Sequence, residues 1–139
     1  MPLQLASLQK QLSSAVQQAA KYMDAQEVAN IIWASAKVSD SGDVVLLALL
    51  PALADRVEAV KQDMKAQEVA NILWAAAKLS DSGDDTFLAL LPALTGRIQE
   101  VKQDMTAQAV ANICWASAKL LDSGEESLLA LLPALAGRV

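Results

Sequence analysis

Four residue types recur on one helical stripe, and together they suit a polymer ligand. Gln26, Asn30, Trp33 and Lys37 reappear as Gln67, Asn71, Trp74 and Lys78, and again as Gln108, Asn112, Trp115 and Lys119, each set 41 residues after the last. An amide offers a donor and an acceptor to a base edge or a peptide bond. An indole supplies a stacking face, and a lysine neutralises one phosphate or carboxylate. At about 100° per residue, the Gln, Asn and Lys of each set point within about 40° of one another, with the Trp at the border of the stripe. Three such stripes side by side would stand ~8–10 Å apart at ordinary helix spacing. Catalysis has no comparable signal. The chain has no histidine, no nucleophile beside a base, no cluster of metal ligands and no Gly-rich phosphate loop after a strand. The Asp-Ser-Gly turns are too short to supply the six or more oxygens that a hard cation needs. Neither a metal nor a cofactor is expected.

The stripes belong to a repeat. The unit at 64–104 is preceded by a copy at 23–63 and followed by a shorter one at 105–139, with Gly42, Gly83 and Gly124 and Pro51, Pro92 and Pro133 in the same register. A fixed period in the range of roughly 20–50 residues is the signature of a stacked array, whose units complete each other's core. Each unit reads as two helices. Helix A covers about 25–39, 66–80 and 107–121, with Asp24 and Glu27 at capping-box spacing and Thr106 as a further cap. Lys65 is a poor cap. Helix A stops at the Asp-Ser-Gly turns, where glycine suits a left-handed backbone. Helix B covers about 44–62, 85–103 and 127–139, with Leu46, Leu49, Leu50, Leu53, Val57 and Val60 on one side. Pro51 falls on the other, solvent side of it and should kink the helix, with water satisfying the freed carbonyl.

Residues 1–22 align with the second half of a unit, Leu5, Leu8, Leu12 and Val16 matching Leu46, Leu49, Leu53 and Val57. They read as a degenerate helix capping the array. A targeting peptide is the weaker alternative, since the segment has neither arginine nor a secretory apolar run. The expected fold is therefore all-α: one α-solenoid of helix-turn-helix repeats, running B-A-B-A-B-A-B. The third unit stops short of a full copy, which suggests a fragment and an open C-terminal end through which the chain would self-associate.

Of 139 residues, 54% are hydrophobic, and the net charge is −5. That balance argues against a surface uniformly coated in Lys and Arg. The acids gather in the turns and on helix B, which leaves the A ridge less acidic. No apolar run is long enough to span a bilayer. Cys114 aligns with Ile32 and Leu73 and reads as a small core residue. Beside the stripe, the neighbour changes as Glu27, Glu68 and Ala109, a variation that would alter ligand preference from unit to unit.

The pattern A-Q-x-V-A-N-x-x-W-A-x-A-K-[LV], at 25–38, 66–79 and 107–120, resembles the repeats of octotricopeptide and FAST-kinase-like, RAP-associated helical proteins. It is also similar to the repeat region of RNA-editing substrate-binding complex proteins, of the kind found in algae and protists. The resemblance implies RNA binding in the mitochondrion or chloroplast: processing, stability or translation of organellar transcripts. The residues by themselves leave a second class open, a protein scaffold that holds an extended peptide as armadillo and HEAT arrays do.

Overall fold

The computed structural model of the protein describes residues 2–38 and 49–122. Within them every regular element is helical, either α or 3₁₀. Six α-helices follow in order: α1 (Pro2–Ala19), α2 (Ala25–Val38), α3 (Leu50–Val60), α4 (Ala66–Asp81), α5 (Leu91–Val101) and α6 (Ala107–Asp122). Helices α2, α4 and α6 are the three A helices. The helix expected over 127–139, Pro133, and the turns at 40–42 and 123–124 lie outside the described residues.

The starts of the A helices follow local chemistry. Asp24 and Glu27 form the reciprocal box: the Glu27 amide donates to Asp24 Oδ1 at 2.8 Å, and the Asp24 amide to Glu27 Oε1 at 3.0 Å. Thr106 Oγ1 accepts from the Ala109 amide at 3.1 Å. A lysine side chain has no acceptor, so at α4 only the Glu68 half is made, with the Lys65 amide donating at 2.9 Å. The helix ends are as specific. After α4 the Asp84 amide reaches back to the Leu79 carbonyl at 2.8 Å, and Gly83 takes φ 99°. That six-to-one bond with a left-handed residue is a Schellman stop.

Helix B differs from the continuous, kinked helix expected. In the second unit a 3₁₀ segment, Thr86–Leu90, comes first, and the α-helix begins only at Leu91. Pro92, like Pro51 in α3, therefore sits in the first helical turn. A proline there forfeits no helix hydrogen bond, because first-turn amides have no partner in the helix. In the second unit the change from 3₁₀ to α falls just before the proline. Both prolines are exposed, as expected.

Packing runs chiefly from one A helix to the next, α2 against α4 and α4 against α6, with α3 and α5 laid against the A helices of their own units. The A helices meet through small side chains. Ala25, Ala29, Ile32 and Ala36 on α2, and Ala66, Ala70, Leu73 and Ala77 on α4, are buried. The same positions on α6, Ala107, Ala111, Cys114 and Ala118, are exposed. This corrects the reading of Cys114: alignment with buried residues gave its register, but the face it occupies is the one that each earlier A helix turns to its successor. Helix α1 shows the same effect at the other end. Leu8 and Leu12 are 62% and 55% exposed, although Leu49 and Leu53 at the matching positions are buried; of these three α1 residues Val16 packs on the core.

Each unit is also clipped at its own start, where it leaves the preceding B segment. Arg56 Nε donates to the Met23 carbonyl at 2.6 Å, and Arg97 Nε to the Met64 carbonyl at 2.9 Å. Met23 and Met64 end the short 3₁₀ turns that lead into α2 and α4, and both are buried. The arginines thus hold the exit of one B segment against the next B helix.

Candidate functional site

A cleft of about 420 Å³ opens along the A layer, lined by Asn30, Trp33, Lys37, Gln67, Asn71, Trp74, Gln108 and Asn112. All three units contribute an asparagine to it. No carboxylate is among its lining residues, so the sequestering of acids seen in the sequence holds at this surface. The small residues between A helices bring the stripes together: alanine at each close approach lets neighbouring ridges converge. Within the cleft Gln67 Nε2 donates to Asn71 Oδ1 at 2.8 Å, one helical turn along α4.

The indoles form a ladder. Trp33 and Trp74 have centroids 6.1 Å apart and planes tilted by 35°, and Trp74 and Trp115 are 5.7 Å apart at 28°. These are offset contacts of the kind aromatic pairs favour. The faces that could have stacked on a ligand are turned largely on each other. Trp33 and Trp115 remain 39% and 38% exposed, while Trp74, between them, is half-buried. Lys37 Nζ lies 4.8 Å from the Trp33 centroid and 5.3 Å from that of Trp74, within cation–π range of both. Lys119 lies 5.7 Å from the Trp115 ring and 4.0 Å from Asp81 Oδ2.

The other predicted residues stand apart. Gln26 lines a separate, shallower recess with Asp24, Asp63 and Glu68. Trp115 supports the ladder from outside the cleft, and Lys78 and Lys119 are not among its lining residues. Ala109 is buried, so the Glu27, Glu68, Ala109 variation is not a change along the ligand surface. Glu27 is exposed, Glu68 half-buried and Ala109 buried: the position turns towards the preceding A helix. The arginine clips were missed altogether, though the 41-residue recurrence of Arg56 and Arg97 was a visible signal.

Compared with known proteins, the chain matches no family model, no curated protein and no solved structure.

Proposed function

We propose that the chain is a stacked helical-repeat array, an α-solenoid with a 41-residue period, whose A-helix cleft binds single-stranded RNA. The observation that carries this reading is the composition of the cleft: asparagines of three successive units, with Lys37 beside them and no carboxylate lining it. Amides spaced by a structural repeat suit successive base edges, the manner in which helical repeats read one base per unit. Lys37 supplies one backbone anion contact. The resemblance of the Q-x-V-A-N-x-x-W-A segments to octotricopeptide and FAST-kinase-like repeats supports the same ligand and adds the expectation of organellar RNA work. The indoles take a supporting part: their paired faces hold the lysines and the spacing of the stripes rather than gripping bases.

Fluorescence anisotropy with labelled single-stranded RNAs of about ten nucleotides, at two salt concentrations, tests this. Weak, saturable binding is expected, with log K falling against log salt by about 0.7 for each lysine engaged. One observation favours the second reading, an extended peptide on the same ridge. With the indole faces paired, amide contacts to a peptide backbone need no stacking partner, and the net charge of −5 suits a basic peptide. Binding of a basic peptide but of no RNA would select it.

A further inference from the structure

The hydrogen bond from Gln67 to Asn71 gives the cleft a chemical polarity. A carboxamide presents an oxygen and an NH₂ on a nearly symmetric fork, so a lone asparagine turns either way to suit its ligand. Asn71 is not alone. Its oxygen takes the Gln67 amide proton at 2.8 Å, which leaves its NH₂ as the group presented to the cleft. Asn71 is half-buried at the middle of the lining, whereas Gln67, whose own oxygen stays free to accept, sits at the exposed rim. The nearest charged group in the lining is also a donor: the Lys37 ammonium, held over the Trp33 and Trp74 rings. The amide at the centre of the cleft, Asn71, is therefore held as a donor, with the Lys37 ammonium a second donor at the exposed edge. The pairing of the indoles adds a second constraint, because the central ring, Trp74, has an indole on either side of it. A base entering here must present its own edge.

We propose that the cleft selects bases with a keto oxygen at C4 of a pyrimidine or C6 of a purine, uracil and guanine, over those with an amino group at that place, cytosine and adenine, and that Gln67 is the positioning residue that sets this preference. The inference rests on the RNA reading above. Uracil and cytosine make the cleanest comparison. They share ring size and differ at C4, where an oxygen accepts from Asn71 while an amino group opposes it, donor against donor.

The test uses the full chain with labelled ten-nucleotide oligo(U) and oligo(C). The native protein binds oligo(U) more tightly by about fivefold, the value of one net hydrogen bond. Gln67→Glu replaces the donor by a carboxylate that only accepts. It draws the Asn71 NH₂ towards itself, turns the oxygen outward and brings the oligo(U)/oligo(C) ratio below one, even as the added charge weakens both. Gln67→Ala frees the amide and brings the ratio towards one. Gln67 is exposed, and matching thermal unfolding curves will establish that the variants remain folded. Equal binding of the two oligonucleotides by the native chain, or a ratio that Gln67→Glu leaves unchanged, overturns the inference and leaves RNA binding standing. Absence of binding to either oligonucleotide overturns both.

Discussion

The central unit and its flanking units carry nearly the same residues and lead different physical lives. Leu73 is fully buried, whereas Cys114 at the equivalent place is exposed. Trp74 touches an indole on each side; Trp33 and Trp115 touch one each and stay more than a third exposed. Ile72, Ala75 and Ile113 are sealed by the A helix before them, while Ile31 and Ala34 keep some solvent contact. The difference lies in neighbours. The central α4 packs against α2 on one side and α6 on the other, so among the described A helices it is the one with both faces covered.

The largest effects should follow that coverage. Leu73→Ala should cost about 3 kcal/mol, within the range for a buried leucine whose cavity cannot fully collapse. Cys114→Ala at the same place in the next unit should change stability by less than about 0.5 kcal/mol, as for a surface site. Urea unfolding of the two variants gives the comparison directly. Equal losses would mean that the last A helix is covered as well as the central one.

The indole ladder offers a finer version. Trp74→Ala removes two ring contacts and part of the core, and about 3 kcal/mol is expected, at the low end for a large aromatic because the ring is half-buried. Trp33→Ala removes one ring contact and should cost about 1 kcal/mol less, the worth of the second aromatic pair. Near-ultraviolet circular dichroism adds an independent readout. Coupled indoles give a signal that Trp74→Ala should abolish and Trp33→Ala should only reduce.

What the sequence made legible here is what a helix decides within itself. The stripe at 26, 30, 33 and 37 follows from 100° per residue, the Asp24–Glu27 box from capping chemistry, and the Gly83 stop from the freedom of glycine at positive φ. Burial across units was harder to read, because the period assigns equivalent positions and not equivalent surroundings. Cys114 inherited a core role from Ile32 and Leu73 on that ground, and Leu8 and Leu12 theirs from Leu49 and Leu53. The prolines face out as expected, and the continuous helix B expected around them differs for a local reason. Leucine periodicity runs unbroken through 86–94, and it does not distinguish a kinked α-helix from a 3₁₀ segment that hands over to an α-helix at Leu91. The pairing of the tryptophans needed the close approach of neighbouring A helices, which a single helical wheel does not contain.

Capping reverses the order of the units and so sharpens the comparison. The flanking α2 has the complete box, while the central α4 starts on a lysine that gives only its backbone amide. Asp24→Ala should cost about 1 kcal/mol, the usual loss for an N-cap acceptor. Lys65→Ala should be near neutral, because the Glu68 bond uses the Lys65 main chain and survives the change. Replacing Lys65 by Asp should stabilise by a similar amount of about 1 kcal/mol by completing the box. A thermal shift that leaves Lys65→Asp no more stable than the native chain would mean that packing of the central helix already saturates its start.

The smallest effect expected separates the two lysines of the flanking units, and it bears on ligand binding alone. Lys37 lines the same cleft as the asparagines and lies over two indoles. Lys119 lies outside that lining, over one indole and 4.0 Å from Asp81, whose charge offsets part of its own. Both are surface groups, so neither substitution should move stability by more than about 0.5 kcal/mol. Towards single-stranded RNA they should part. Lys37→Ala removes one phosphate contact and should flatten the salt slope by about 0.7, weakening all sequences alike because a backbone contact carries no base information. Lys119→Ala should leave the slope nearly unchanged. Anisotropy titrations at three or more salt concentrations resolve the two slopes. Equal flattening by both would place the strand along the outer ends of the A helices, beyond the cleft. No flattening by either would remove the lysines from the contact and leave the asparagines to bind an uncharged backbone, which is the chemistry of an extended peptide.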